Sequence, residues 1–336
     1  MIVSVKSSTQ SFVCPESHTK LKLVEDNESS ELFIENSKGY KFFIRNNIPC
    51  RLTEKDIEES SYAIELFKEK AAIYDEYQHL SFEIFYKSEE DVRNTLIDKL
   101  NLKSGYQVLE VNAGTGRDSL LISKRLDEKS CLHVQDISFD MLSICQQKLQ
   151  NVLVPVVVTQ SNAIRLPYPD DFFDAVYSFG GVGMNTYANN KDAFKELIRV
   201  SKPGASIVIG GLSLGPWLRN SLFGQILANH NKHYLNSVDL HHLPVEARDV
   251  TLSWILSGAG FVLTFSKGLG EPKANFDFQI PGIRGGTLRT RFYGQIEGVT
   301  DEAKRLLMKM AKEKGVSMHN LIDTIIKTEA KKNDIE

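Results

Sequence analysis

The chain has 336 residues, of which 42% are hydrophobic and 25% charged; that suffices for a sizeable core and is ordinary for a soluble globular protein. A formal charge of −3 excludes a global field that recruits nucleic acid and leaves only a local basic face open. The four cysteines, Cys14, Cys50, Cys131 and Cys145, form no Cys-x-x-Cys pair and read as small core hydrophobes of a reducing compartment.

MIVSVKSSTQ lacks the layout of a signal peptide, and no stretch is long and apolar enough to span a bilayer, so a cytoplasmic location is expected. Residues 1–52 carry short alternating runs, ELFIEN and GYKFFIRNNIP, which predict a small β-rich module. Residues 53–102 read as a helical linker or cap: Thr53 is an N-cap candidate, and Val92, Leu96 and Leu100 recur at helical spacing. Residues 103–298 alternate strand and helix patterns, from QVLEV and RDSLLISKRL to FVLTFSKG, with VEARDVTLSWILSGAG read as a helix. This predicts an α/β fold, a doubly wound and mostly parallel sheet covered on both faces. A stretch of about 213–245 reads as an insertion. Residues 299–336 predict two helices, split where Gly315 stops one and Ser317 starts the next.

The run VLEVNAGTGRDS, Val108 to Ser119, ends a strand in a glycine-bearing turn. Gly114 and Gly116 let a ligand approach the backbone at a helix N-terminus. Asp136, 20 residues past Gly116, can accept from both ribose hydroxyls. A dinucleotide fingerprint wants a third glycine or alanine where Ser119 stands, and Asp118 and Glu110 repel a pyrophosphate. They suit a ligand that carries positive charge, such as S-adenosylmethionine. The bland alternative is an ordinary strand-to-helix connection.

VLEVNAGTG resembles motif I of the class I S-adenosylmethionine-dependent methyltransferases. HVQDISFDML, SNAIRLPYPDDFFDAVYS and ELIRVSKPGASIVI are similar to the later strand segments, in the same order over roughly residues 70–270. The subgroup most alike acts on small molecules and includes the ubiquinone C-methyltransferases. The resemblance implies a seven-stranded Rossmann-like sheet, S-adenosylmethionine as cofactor and methyl transfer by in-line displacement. Carried over residue by residue, it implies a cofactor site of Glu110, Asn112, Ala113, Gly114, Thr115, Gly116, Asp136, Ile137, Met141, Asn162, Ala163 and Ser178. Asn112 replaces the first glycine of the motif, and asparagine tolerates positive φ. Asn162 stands where the family often has an aspartate facing the adenine amino group.

Two stretches are candidates for the acceptor. SFGGVGMNTY offers Asn185 and Tyr187, with a flexible loop as the alternative. The insertion offers Trp217, His230, His233 and Tyr234. Tyr187, His230 and His233 are candidate bases, needed only if the acceptor must lose a proton. His230 and His233 have the spacing of a metal pair on a helix, but no acid beside them completes a set, so no metal is expected. IPGIRGGTLRTRFYGQIEG carries Arg284, Arg289 and Arg291, whose forks suit an anionic acceptor; the alternative is a final antiparallel hairpin with exposed arginines.

The ends resemble other modules. FVCPESHTKLKL with IPCRL resembles a zinc ribbon, but only Cys14, His18 and Cys50 are present as ligands, so a degenerate module without metal is expected. The tail is similar to the helices of ribbon-helix-helix proteins, with RFYGQIEG as their strand. Residues 301–332 hold eight Lys or Arg against five Asp or Glu, a mild surplus that favours packing or homodimerisation over DNA binding. The expectation is methyl transfer to a small, anionic molecule, with no membrane or nucleic-acid partner. Two alternatives remain: an RNA base methyltransferase and an S-adenosylmethionine-sensing DNA-binding regulator.

Overall fold

The computed structural model describes residues 2–25, 32–181, 190–283, 285–293 and 300–335. Two compact units emerge, Met1–Pro272 and Lys273–Glu336.

The first unit opens with helix α1 (Val5–Ser8) and a four-stranded antiparallel sheet ordered β1 (Lys22–Glu25), β2 (Leu32–Glu35), β3 (Lys41–Arg45) and β4 (Ile48–Pro49). Helices α2 (Glu54–Lys70), α3 (Tyr74–Tyr77), α4 (Leu80–Glu83) and α5 (Glu89–Asp98) follow. Thr53 starts α2 through a capping box: its hydroxyl accepts from Asp56 N at 3.1 Å, and the Asp56 carboxylate accepts from Thr53 N at 2.9 Å. Each half satisfies an N–H that the first turn leaves without a partner.

Then come β5 (Gln107–Val111), α6 (Arg117–Ser123), β6 (Cys131–Asp136), α7 (Phe139–Lys148), β7 (Val156–Gln160), β8 (Phe173–Phe179), α8 (Asn190–Val200), β9 (Ser201–Leu212), α9 (Leu222–His230), β10 (Ala247–Ile255) and β11 (Gly260–Lys267). They build one seven-stranded sheet ordered β10-β11-β9-β8-β5-β6-β7. Five strands run parallel, and β11 is antiparallel to both β9 and β10. The α/β, doubly wound expectation holds. The chain winds outward from β5 through β6 to β7, then returns to place β8 on the other side. The C-terminal end of β5 is therefore the switch point, where open α/β sheets bind ligands.

Alternate residues of the sheet feed two cores. Leu109, Val176, Ile207 and Leu263 face one layer. Val108, Tyr177, Val208 and Val262 face the other. Phe12, Cys14, Ile34 and Phe42 of the N-terminal module belong to the first of these cores, so the module shares its apolar interior with the large sheet.

Residues 247–255 correct the helix expected from VEARDVTLSWILSGAG: they are strand β10. The apolar residues Val250, Leu252 and Trp254 also fit a period of two, and β11 supplies an antiparallel partner from Ala247↔Lys267 to Ile255↔Gly260, with a shift of register between Arg248 and Thr251.

In the second unit, α10 (Leu288–Tyr293), α11 (Asp301–Lys314) and α12 (Met318–Lys332) are helical. This corrects a strand or hairpin reading for residues 288–293; the rest of RFYGQIEG lies outside the described residues. Gly315 closes α11 in the left-handed conformation and Ser317 caps α12, as expected from the sequence.

Candidate cofactor and acceptor site

The glycine turn lies at the switch point. Asn112 has φ +59, and Gly116, just before α6, has φ +82. Asparagine thus supports the positive φ at the position of the motif's first glycine. A Cβ on Gly116 would lie 2.6 Å from Cys145 Sγ, so the turn is pressed directly onto α7. Ala113 N donates to Gln135 O at 3.0 Å, which straps the turn to the end of β6.

Asp136 closes that end. Its Oδ2 accepts from Gly114 N at 2.8 Å and its Oδ1 from Ser138 N at 2.9 Å. A carboxylate offers about four lone-pair sites, so the two oxygens keep capacity for ligand hydroxyls. Burial pushes this carboxyl up, and the N–H groups of Ser138, Gly114 and Ile137 partly offset it. Ile137, Met141 and Ala163 are buried beside it. Ser178, in register with Val111, is fully buried, and its hydroxyl has no partner among the described residues.

Glu110 is buried and accepts from Ser119 Oγ at 2.5 Å. Burial and the neighbouring Asp118 hold its carboxyl well above the usual range. Asp118 is itself raised by burial, against the pull of Arg93. Arg93 donates to Glu89 at 2.7 Å and to Asp118, and Tyr177 donates to Asp118 at 3.1 Å.

The segment after α2 lies against this turn. Asp75 accepts from Thr115 Oγ1 at 2.7 Å, from Arg117 at 3.0 Å and from Lys148. Burial alone would raise Asp75, but these donors hold it below its ordinary value. Arg117 also pairs with Glu89. Burial pushes the Tyr74 hydroxyl up. Sequence reasoning missed this network. One signal was available: Arg93 falls on the stripe of Leu96, Ile97 and Leu100, and a charge on an apolar stripe needs a buried partner.

Asn162 is buried with its amide engaged on both sides. Its Nδ2 donates to Asp56 Oδ1 at 2.9 Å, and its Oδ1 accepts from Ile164 N at 3.2 Å. Arg165 pairs with the same Asp56.

A cleft of about 550 Å³ is lined among others by Lys70, Tyr74, Tyr77, Leu212, His230 and Tyr234. Among the acceptor candidates, His230 and Tyr234 line it, whereas His233 and Trp217 do not. His230 ends α9 and His233 lies in the next turn, with its Nδ1 3.3 Å from Asn236 Nδ2, so the two do not share one helix. Trp217 packs edge-on against Trp254 at 5.4 Å. Asn185, Tyr187 and Arg284 lie outside the described residues. Arg289 pairs with Asp277, and Arg291 donates to Gly285 O, all within the second unit. Among the described residues no group of His, Cys, Asp and Glu is arranged to hold a metal ion, and no helix is long and apolar enough to cross a membrane.

Strand order, glycine turn and the acid ending β6 define the class I S-adenosylmethionine-dependent methyltransferase fold. The model of the ubiE/COQ5 methyltransferase family matches residues 55–215, just under half of the chain. The demethylmenaquinone methyltransferase of Bacillus licheniformis is 30% identical over 136 residues, 40% of this chain and 57% of that protein. The ubiquinone/menaquinone biosynthesis C-methyltransferase of Neisseria gonorrhoeae is 34% identical over 114 residues, 34% of this chain and 45% of that protein. The chain thus spans about half the length of the relatives it matches. Among solved structures, a putative S-adenosylmethionine-dependent methyltransferase of Methanococcus maripaludis is 20% identical with a TM-score of 0.45, covering 61% of this chain and 94% of its own.

Proposed function

We propose that the protein transfers a methyl group from S-adenosylmethionine to a small, amphipathic acceptor held in the cleft between the α2–α4 segment and the end of α9. The observation that carries this reading is Tyr74. It lines the cleft, and the next residue, Asp75, accepts from Thr115 Oγ1 of the glycine turn at 2.7 Å. Cradle and cleft are therefore adjacent, as in-line displacement requires.

In this reading Asp136 accepts from the ribose hydroxyls, with Ser178 as a further polar contact. Ile137, Met141 and Ala163 flank the adenine. Asp56, held beside Asn162, brings a carboxylate to the side where the family often has its own aspartate. The bound cofactor supplies an activated sulfonium methyl; the chain's task is to align donor and acceptor and to exclude water. Ile73, Leu80, Ile84 and Leu212 accept the apolar part of the acceptor, while Lys70 offers a cation to an anionic group. His230 is the candidate base where the acceptor must lose a proton. The relatives' names make quinone-type acceptors the first class to try.

Ile84→Trp fills the cleft from its rim. The expected result is loss of transfer to any acceptor accepted by the wild type, with S-adenosylmethionine affinity unchanged within about twofold in a calorimeter. Undiminished transfer in this variant would remove the cleft from the reaction.

A further inference from the structure

Arg51 lies between β4 and α2 and is fully buried. Its Nη1 donates to Thr159 Oγ1 at 3.0 Å, and its Cζ sits 3.4 Å from the centre of the Phe12 ring. Nε and Nη2 are buried without a partner among the described residues, and no carboxylate there lies within ion-pairing distance of the guanidinium. Tyr168 is equally buried, and its hydroxyl also lacks a partner among the described residues. Its ring lies 5.3 Å from that of Phe12, the same ring on which the Arg51 guanidinium sits.

We propose that this seam, between the N-terminal module and the β7 side of the large sheet, binds a small monovalent anion of about the size of chloride, held by Nε and Nη2 of Arg51 and the hydroxyl of Tyr168. A buried charge without a counter-charge is strongly destabilising. Burial lowers the guanidinium only to about 9, so it remains charged at neutral pH and calls for one negative charge. Its one hydrogen-bond acceptor among the described residues, Thr159 Oγ1, is neutral. The Phe12 ring covers one face of the guanidinium, which leaves its edge for an ion.

The site bears on α2. Arg51 N donates to Gln160 O at 2.8 Å, and Thr53, two residues on, caps the helix whose Asp56 reaches Asn162. An anion at Arg51 fixes the root of that helix.

The test is thermal unfolding of the full chain as chloride replaces gluconate from 1 to 100 mM at constant ionic strength. The wild type is expected to gain about 2 °C for each tenfold rise in chloride above the dissociation constant. Tyr168→Phe is expected to require roughly tenfold more chloride for the same rise. Arg51→Met, which keeps the stem and removes the donors, is expected to show no chloride dependence. A wild type indifferent to chloride overturns the proposal, as does an Arg51→Met variant that still responds. If Arg51→Met does not fold, wild-type crystals grown with bromide decide: an anomalous peak between Nη2 and the Tyr168 hydroxyl supports the site, and a seam filled by water alone refutes it.

Discussion

Replacing Asp136 by alanine separates ligand binding from stability. In the fold, the carboxylate accepts from Gly114 N at 2.8 Å and Ser138 N at 2.9 Å. Losing both acceptors costs about 1–3 kcal/mol per N–H where it stays buried. The same substitution removes a buried carboxylate whose ionised form is disfavoured, since burial has already raised its pKa. The two effects oppose, and the net loss of stability is expected near 1 kcal/mol. Affinity has no such offset. Two hydrogen bonds from ribose hydroxyls to a charged acceptor contribute about 1.5 kcal/mol each at the low end, so S-adenosylmethionine is expected to bind roughly 150-fold more weakly. Calorimetric titration reads the affinity, and urea unfolding reads the stability. S-adenosylhomocysteine, which keeps the ribose and lacks the sulfonium charge, must lose affinity by the same factor. Equal binding by wild type and variant would refute the ribose assignment. A loss confined to S-adenosylmethionine would show instead that Asp136 acts on the sulfonium.

Gly116→Ala places a Cβ 2.6 Å from Cys145 Sγ at a residue with φ +82; the expected loss is about 2 kcal/mol in urea unfolding together with weaker cofactor binding, and a variant as stable as wild type would show that α7 yields to the turn. His133 is buried and its pKa falls to about 3, below the 6.5 of the unfolded chain. The unfolded state therefore binds the extra proton. Stability is fully present above pH 6.5 and falls by about 1.4 kcal/mol per pH unit as the pH drops from 6.5 toward 3. His133→Gln should flatten that slope by one proton in urea titrations between pH 4 and 7; an unchanged slope would assign the acid sensitivity to other groups.

The parts of the site that could be read in the chain are those made by neighbours in sequence. The glycine turn follows its strand immediately, and Asp136 ends the next strand a short helix later. Asn112 was readable because its side-chain type tolerates the φ that the turn imposes. The capping box at Thr53 and the stop at Gly315 are equally local. His230 and His233 looked equivalent in sequence, and only the break after α9 puts one on the cleft and the other against Asn236. The arginines of residues 284–291 looked like an anion fork; Arg289 and Arg291 instead serve Asp277 and a backbone carbonyl of their own unit.

By itself the sequence determined the class of fold and the kind of ligand, because hydrophobic period, turn chemistry and the sign of nearby charges act within about 20 residues along the chain. The tertiary structure alone decided three things. It made β10 a strand, since an edge segment takes its conformation from the partner that completes its hydrogen bonds. It set Asp56 beside Asn162, 106 residues away, and Asp75 beside Thr115, 40 residues away. And it buried Arg51 between two sheets, because the N-terminal module has no separate core and must bury its apolar face against the large one.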